Sequence, residues 1–83
     1  MGLRTVEQLR GARAMLNWTQ SKLAGAAGVS TPTIKRLESG QGGLAIRLET
    51  LSMLEGAFKR AGVQFIAENG GGAGVRLAKP AGE

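Results

Sequence analysis

The fold is decided by the stretch from Thr19 to Gly40, which reads TQSKLAGAAGVSTPTIKRLESG. The side chain of Thr19 is a good N-terminal cap for a helix, and Gly28 can adopt the left-handed backbone that ends one. Ala24 is small, as required where two helices cross closely. A helix is therefore predicted over about 20–27, with a tight turn at its end.

A second helix is predicted directly after this turn. Ser30 caps it, and Pro32 falls in its first turn, where the missing N–H is not needed. Gly40 ends it, so that the helix covers about 31–39. The apolar residues Val29, Ile34 and Leu37 anchor it to the core, which leaves Thr31, Pro32, Thr33, Lys35 and Arg36 pointing outward.

Two further helices are predicted on either side of this pair. Thr5 and Gln8 have the spacing of a capping box, and the apolar residues after them indicate a helix over about 6–16 that ends near Asn17. A longer helix is predicted over about 45–61. Its apolar positions recur every three or four residues and are Leu44, Leu48, Leu51, Leu54 and Phe58.

The pattern changes to that of strands after this last helix. Apolar and polar residues alternate from Val63 and again from Val75, and a glycine-rich turn at 69–74 separates the two runs. We expect a β-hairpin, which must pack on the helices or pair with another chain because an isolated hairpin is marginally stable. The residues predicted to hold a second copy are Val63, Phe65, Val75 and Leu77.

The quoted stretch resembles the TQxxLAxxxGVSxxxIxxxExG signature of XRE-family regulators, the Cro and phage-repressor kind of helix-turn-helix protein. The matches cover about residues 9–40 and include Arg13 at the family's distance. The resemblance implies a mainly α fold, in which a four-helix repressor-like domain is followed by the hairpin. The predicted parts are a DNA-binding domain at 1–61, a dimerisation hairpin at 62–78 and a flexible tail at 79–83.

The resemblance also implies roles for individual residues, because in such domains the second helix of the pair reads the major groove of double-stranded DNA. Arg36 can pair with a guanine edge or with a phosphate, Lys35 suits a phosphate better, and Pro32 offers apolar contact. The candidates for base contact are Thr31, Pro32, Thr33, Lys35 and Arg36. The candidates for the DNA backbone are Thr19, Gln20, Lys22, Ser30, Ser39, Gln41 and Arg47, with Gln20 also bracing the reading helix. Arg13 and Glu38 resemble the family's internal ion pair and are expected to be structural.

The distribution of charge agrees with a polyanionic partner. Seven basic and two acidic residues lie between Met1 and Arg47, whereas the rest of the chain has four of each, so the whole net charge of +5 belongs to the first half. A chain of 83 residues without Cys or His offers no deep catalytic pocket and no thiol or imidazole ligand. We therefore expect no enzyme activity, no cofactor and no metal.

The pattern as a whole favours a transcriptional repressor that binds an inverted repeat as a homodimer. No apolar run reaches the roughly 18 residues of a membrane span, so we expect a cytoplasmic, nucleoid-associated protein. The alternative is an antitoxin-like interaction module, whose hairpin or tail binds a partner protein such as a toxin or the transcription machinery and whose DNA binding is secondary. After Gly40 the chain departs from the common family pattern, which leaves the hairpin strands as the expected dimer interface.

Overall fold

The structure is a computed structural model that describes residues 2–78. Its elements confirm the predicted fold class, four helices followed by an antiparallel hairpin. No helix within these residues has the length and apolar character needed to cross a membrane. The predicted tail at 79–83 lies outside the described residues. In chain order the elements are α1 (Val6–Met15), α2 (Gln20–Ala27), α3 (Thr31–Glu38), α4 (Leu48–Arg60), β1 (Val63–Ile66) and β2 (Gly74–Leu77).

The ends of the first three helices follow from local side-chain chemistry. Thr5, Thr19 and Ser30 each accept a hydrogen bond from the backbone N–H three residues further on, at 3.1, 3.0 and 3.3 Å. These bonds satisfy N–H groups that have no partner within the helix. Asn17 and Gly28 adopt the left-handed conformation, with φ of 55° and 72°, directly after α1 and α2. The predicted positions of these helices are therefore confirmed to within a residue or two.

The prediction for the last helix was wrong at its start, because α4 begins at Leu48 and not near residue 45. Leu44 instead lies outside the helix and donates a backbone hydrogen bond of 2.9 Å to the carbonyl of Arg4. The left-handed glycine of this connection is Gly42, with φ of 75°. The helical spacing of apolar residues continues through this segment. Backbone hydrogen bonds with N-terminal residues nevertheless keep the segment out of the helix. Leu48 is consequently 68% exposed although it fits the apolar period.

The core lies where the four helices meet one face of the hairpin. Trp18 stacks on Phe58 with ring centroids 6.1 Å apart, and Phe65 of β1 meets Phe58 edge to face at 5.7 Å. Trp18 is therefore a packing residue at the corner between α1 and α2. The largest fully buried side chains are Phe58, Leu3, Leu9, Leu23, Ile34, Leu54 and Gln8.

The hairpin turns its apolar face toward the helices of its own chain. Val63 opposes Leu77 and Phe65 opposes Val75, so all four side chains lie on one face of the sheet. Val63 is only 4% exposed, whereas Leu77 is 55% exposed. Of the four residues predicted to hold a second copy, Val63 is thus part of the core of its own chain and Phe65 and Val75 are half-buried against that core, whereas Leu77 is largely exposed.

Gln8, one of two buried polar side chains among residues 2–78, holds the hairpin to α1. Its Nε2 donates to the carbonyl oxygens of Gly74 at 3.0 Å, Gly2 at 3.1 Å and Ile66 at 3.4 Å. Its Oε1 accepts from the backbone N–H of Thr5 at 3.1 Å as part of the capping box. One side chain thus caps α1 and holds both strands of the hairpin.

Candidate nucleic-acid interface

The outward face of α3 is formed by the residues predicted to contact bases. Ile34, Leu37 and Glu38 are buried, which fixes how the helix is rotated about its axis. Pro32 and Arg36, one turn apart, are exposed and lie near the centre of the opposite face. Lys35 is also exposed, and Thr31 and Thr33 are half-buried at the margins.

The hydroxyl groups at the start of α3 are partly used by the helix itself. Ser30 Oγ accepts from the backbone N–H of Thr33, and the two hydroxyl oxygens lie 2.8 Å apart. One O–H is consumed by this contact, and the other is left to donate outward. The pair can therefore still offer one donor to a phosphate or to a base edge.

A polar groove of about 520 Å³ runs along one side of α3 and joins it to the start of α4. Arg36 from α3 and Arg47 from the preceding loop both line it, so the structure brings together a predicted base contact and a predicted backbone contact. Arg47 is the N-cap residue of α4 and forms no side-chain cap. The N–H groups of the first turn of α4 therefore lack a side-chain acceptor, which favours an anion near this end.

Thr50 also lines this groove, although no pattern in the sequence pointed to it. With a helix starting near residue 45, Thr50 falls in the second turn and its N–H bonds within the helix. The observed start at Leu48 places Thr50 in the first turn, beside Arg47. Thr50 could have been predicted as a lining residue only from the correct start of α4. That start depends on contacts with residues outside the segment.

The connection after α3 contributes a second, smaller groove of about 110 Å³. Gln41 and Arg36 both line it, and Gln41 is exposed. Ser39 is less suitable than predicted, because its hydroxyl donates to the carbonyl of Arg36 at 2.7 Å. A phosphate oxygen accepts hydrogen bonds and does not donate them, so Ser39 would have to give up this bond to contact DNA through its side chain.

The start of α2 carries the remaining backbone candidates, and two of these three are engaged within the chain. Gln20 Nε2 donates to Glu38 Oε1 at 3.0 Å, so this side chain braces α3. The Nζ of Lys22 lies 5.9 Å from the centre of the Trp18 ring, within the range of a cation–π contact. Thr19 accepts from the N–H of Lys22 and keeps its own O–H available.

Beneath this surface, Arg13 and Glu38 form a two-point ion pair. Arg13 donates through Nε to Glu38 Oε2 at 2.8 Å and through Nη2 to Oε1 at 2.9 Å. The Glu38 side chain is 4% exposed and that of Arg13 is 24% exposed. The hydrogen bond to Glu38 raises the pKa of Arg13 above its ordinary value, although partial burial opposes the shift. The pair is an internal support of α3 and is not free to contact a ligand.

Arg10 is a second support of α3, to which no pattern in the sequence pointed. Its Nη1 donates to the backbone carbonyl of Glu38 at 3.0 Å, at the C-terminus of α3, where carbonyl groups lack helical partners.

Within residues 2–78, no three acidic side chains lie close enough together to hold a metal ion.

Comparison with known proteins gives one family. A helix-turn-helix family model matches residues 9–62, which covers all of α2, α3 and α4. No curated protein matches the chain.

Proposed function

Because the chain belongs to the XRE-type helix-turn-helix family of DNA-binding regulators, we propose that it is a sequence-specific repressor. In this proposal it binds an inverted repeat as a homodimer, in the cytoplasm and at the nucleoid. The observation that carries the proposal is the exposed face of α3, centred on Pro32 and Arg36 and flanked by the groove with Arg47.

Base reading is assigned to the exposed face of α3. A major groove about 12 Å wide admits one α-helix, and the N-terminal half of that helix comes closest to the base edges. Arg36 has five N–H donors in a planar fork, which suits the two acceptors on a guanine edge. Pro32, without an N–H and with an apolar ring, suits a thymine methyl group.

Phosphate binding is assigned to the groove between α3 and α4. Arg47 and Thr50 donate from its α4 side, together with the uncapped N–H groups of the first turn. Lys22 and the hydroxyl of Thr19 serve the same purpose at the start of α2. The groove adjoins the base-reading face because Arg36 lines it, so the phosphates of one strand would pass beside the bases that α3 reads.

The homodimer is proposed because one domain presents few base contacts. Two copies that bind half-sites about one helical turn apart double the contacts and add specificity. The hairpin is a two-stranded sheet, so the outer edge of each strand has no third strand within residues 2–78. These edges and the exposed Leu77 are the parts of the hairpin that a second copy can cover.

The same hairpin surface supports an antitoxin-like role as the alternative. Leu77 and an open strand edge suit a different small protein as well as a second copy. Purification of the tagged chain from its own cells would distinguish the two, since a stoichiometric small protein supports the alternative. A tagged chain that elutes only with itself supports the repressor.

Selection of bound sequences from a random pool of duplex DNA tests the proposal. We expect enrichment of a motif with two-fold symmetry whose half-sites are separated by about one turn of DNA. An enriched motif without two-fold symmetry would support base reading by the chain but contradict the homodimer. A pool that stays random after selection would contradict sequence-specific binding.

Light scattering tests the dimer independently of DNA sequence. At tens of micromolar protein, we expect twice the chain mass of 8.6 kDa, alone or with the selected duplex. A single-chain mass under both conditions would contradict the dimer. Leu77→Arg should shift the mass toward the monomer, because it places a charge in the proposed interface, whereas Gln41→Arg should leave it unchanged.

A further inference from the structure

The tip of the hairpin carries Asn69, one of the two asparagines of the chain, and Gly70 follows it directly. Both residues lie in the connection between β1 and β2, and both are exposed. Within residues 2–78 neither of them forms a hydrogen bond. The proposed DNA contacts and the predicted dimer residues include neither, so the chemistry of this tip is separate from both roles.

An asparagine that precedes a glycine can react with its own backbone. The nitrogen of the following residue attacks the side-chain carbonyl carbon, provided that this nitrogen is not hydrogen-bonded and is not shielded. Glycine shields it least, because it has no Cβ beside the backbone nitrogen. Asparagine is accordingly one of the thermolabile residues of proteins.

The structure meets these conditions at the tip. Gly70 adopts a φ of 100°, and a Cβ placed on it would meet no atom within 4 Å beyond its chain neighbours. The same is true of Gly71 and Gly72. The N–H of Gly70 has no acceptor within residues 2–78, so no hydrogen bond must break before the attack. Without packing contacts, the backbone here can rotate toward ring closure.

Asn17, the other asparagine, has the opposite surroundings. The next residue is Trp18, whose bulky side chain is half-buried and stacks on Phe58. The N–H of Trp18 donates to the carbonyl of Arg13 at 3.0 Å, and that of Asn17 donates to the carbonyl of Ala14 at 3.0 Å. Attack by the nitrogen of Trp18 therefore requires the C-terminal end of α1 to open.

We propose that Asn69 is a modification site, at which the folded protein deamidates spontaneously through a succinimide. The nitrogen of Gly70 forms a bond to Asn69 Cγ, the bond from Cγ to Nδ2 breaks, and Nδ2 leaves with the proton of Gly70 as ammonia. Water, the only co-reactant, then opens the ring at either carbonyl and gives aspartate or isoaspartate. Both products add a negative charge to the tip, and isoaspartate also adds one methylene group to its backbone.

The test follows the full chain over days at physiological temperature and mildly alkaline pH. Trypsin releases Asn69 in the peptide 61–76 and Asn17 in the peptide 14–22, so one digest reports on both. We expect mass spectra of peptide 61–76 to show a gain of one mass unit, placed at Asn69 by fragmentation. The gain should appear at least tenfold faster than the gain at Asn17.

Isoaspartate can be measured separately with an isoaspartyl methyltransferase and labelled S-adenosylmethionine. The six acidic residues of the chain are all glutamates, so any isoaspartate must come from an asparagine. Methyl acceptance should rise with incubation time in the unsubstituted protein. Asn69→Gln should abolish this rise, because a glutamine must close a six-membered ring, which forms far more slowly. Gly70→Ala should slow it at least tenfold, because the added Cβ shields the nitrogen.

The chain unfolded in urea shows what the fold contributes at each site. Asn69 should convert in the folded protein at more than a tenth of its unfolded rate, whereas Asn17 should convert at less than a tenth of its own. The proposal is overturned if folding slows Asn69 tenfold or more, because the tip is then held or covered. It is also overturned if Asn69 converts no faster than Asn17 in the folded protein, or if Asn69→Gln accepts methyl groups as the unsubstituted protein does.

Discussion

Glu38 accepts hydrogen bonds from Arg13 at 2.8 and 2.9 Å, and this pair joins α1 to the last turn of α3. Gln20 adds a third bond to the same carboxylate at 3.0 Å from the start of α2. One buried carboxylate therefore holds three helices together and fixes the direction in which the face of α3 points. The residues proposed to read DNA therefore depend for their orientation on a side chain that is itself buried.

Replacing Glu38 by Ala should destabilise the fold strongly. The change leaves the Arg13 guanidinium partly buried without its counter-charge, and breaking such a pair from one side typically costs about 3–5 kcal/mol. Because the Arg13 side chain retains 24% exposure, we expect the lower part of this range in urea unfolding. Glu49→Ala, on an exposed helix turn, is the control and should change the free energy of unfolding by less than about 0.5 kcal/mol. Equal effects of the two variants would contradict a supporting role for Glu38.

Replacing Arg36 by Ala should weaken binding to the selected operator more than binding to random duplex. Loss of a two-point contact with a guanine removes about 1–3 kcal/mol of discrimination. Lys35→Ala is the matched comparison, because a phosphate contact contributes equally to both duplexes. Fluorescence anisotropy with both duplexes measures the two affinities. Equal losses for Arg36→Ala would assign Arg36 to the phosphates of the groove.

Affinity for DNA should fall steeply with salt. Each phosphate that Arg47, Lys22 or another donor neutralises releases condensed counterion, so the logarithm of the binding constant falls linearly with the logarithm of salt concentration. Arg47→Ala should reduce this slope by about one unit. Titrations between about 50 and 200 mM salt give the slope. An affinity that does not change with salt would contradict the electrostatic part of the proposal.

Replacing Gln8 by Leu should loosen the hairpin. The substitution leaves the carbonyl of Gly74 without the 3.0 Å bond from Gln8, and each unsatisfied buried group costs about 1–3 kcal/mol. We expect faster hydrogen exchange at the amides of β1 and β2 and lower stability in urea. Gln8→Glu keeps an acceptor for the N-cap of α1 but loses the donor, so it should loosen the hairpin while α1 keeps its cap. Unchanged rates of amide hydrogen exchange in both variants would contradict the role of Gln8 in holding the hairpin to α1.

The loop after α3 should respond to acid through Glu7. Hydrogen bonds from its own backbone N–H and from that of Gly42 hold the pKa of Glu7 below its ordinary value. A depressed carboxyl pKa stabilises the folded state above the pKa of the unfolded chain, and this contribution is lost as pH falls through the folded pKa. An NMR titration should show the Glu7 carboxyl and the Gly42 amide titrating together at that lowered pKa. In the Glu7→Gln variant the chemical shift of the Gly42 amide should not change over this pH range. A pH-dependent change of that shift that persists in the variant would contradict the assignment.

The sequence by itself determined the helix pair and its outward face. Thr19, Gly28 and Ser30 act within a few residues of where they stand, through a cap or a left-handed turn, so local chemistry was sufficient. The apolar positions Ile34 and Leu37 then fixed which side of α3 faces the core. The hairpin was predictable for the same reason, because the alternation of its strands and the glycine-rich turn are local patterns.

Only the tertiary structure decided where α4 begins, and with it the groove that Arg36, Arg47 and Thr50 share. Leu44 fits a helical period, yet it bonds to Arg4, far away in the sequence, and that bond outweighs the local preference. Burial and pairing between distant segments depend on how the chain closes on itself, and neither periodicity nor capping contains that information.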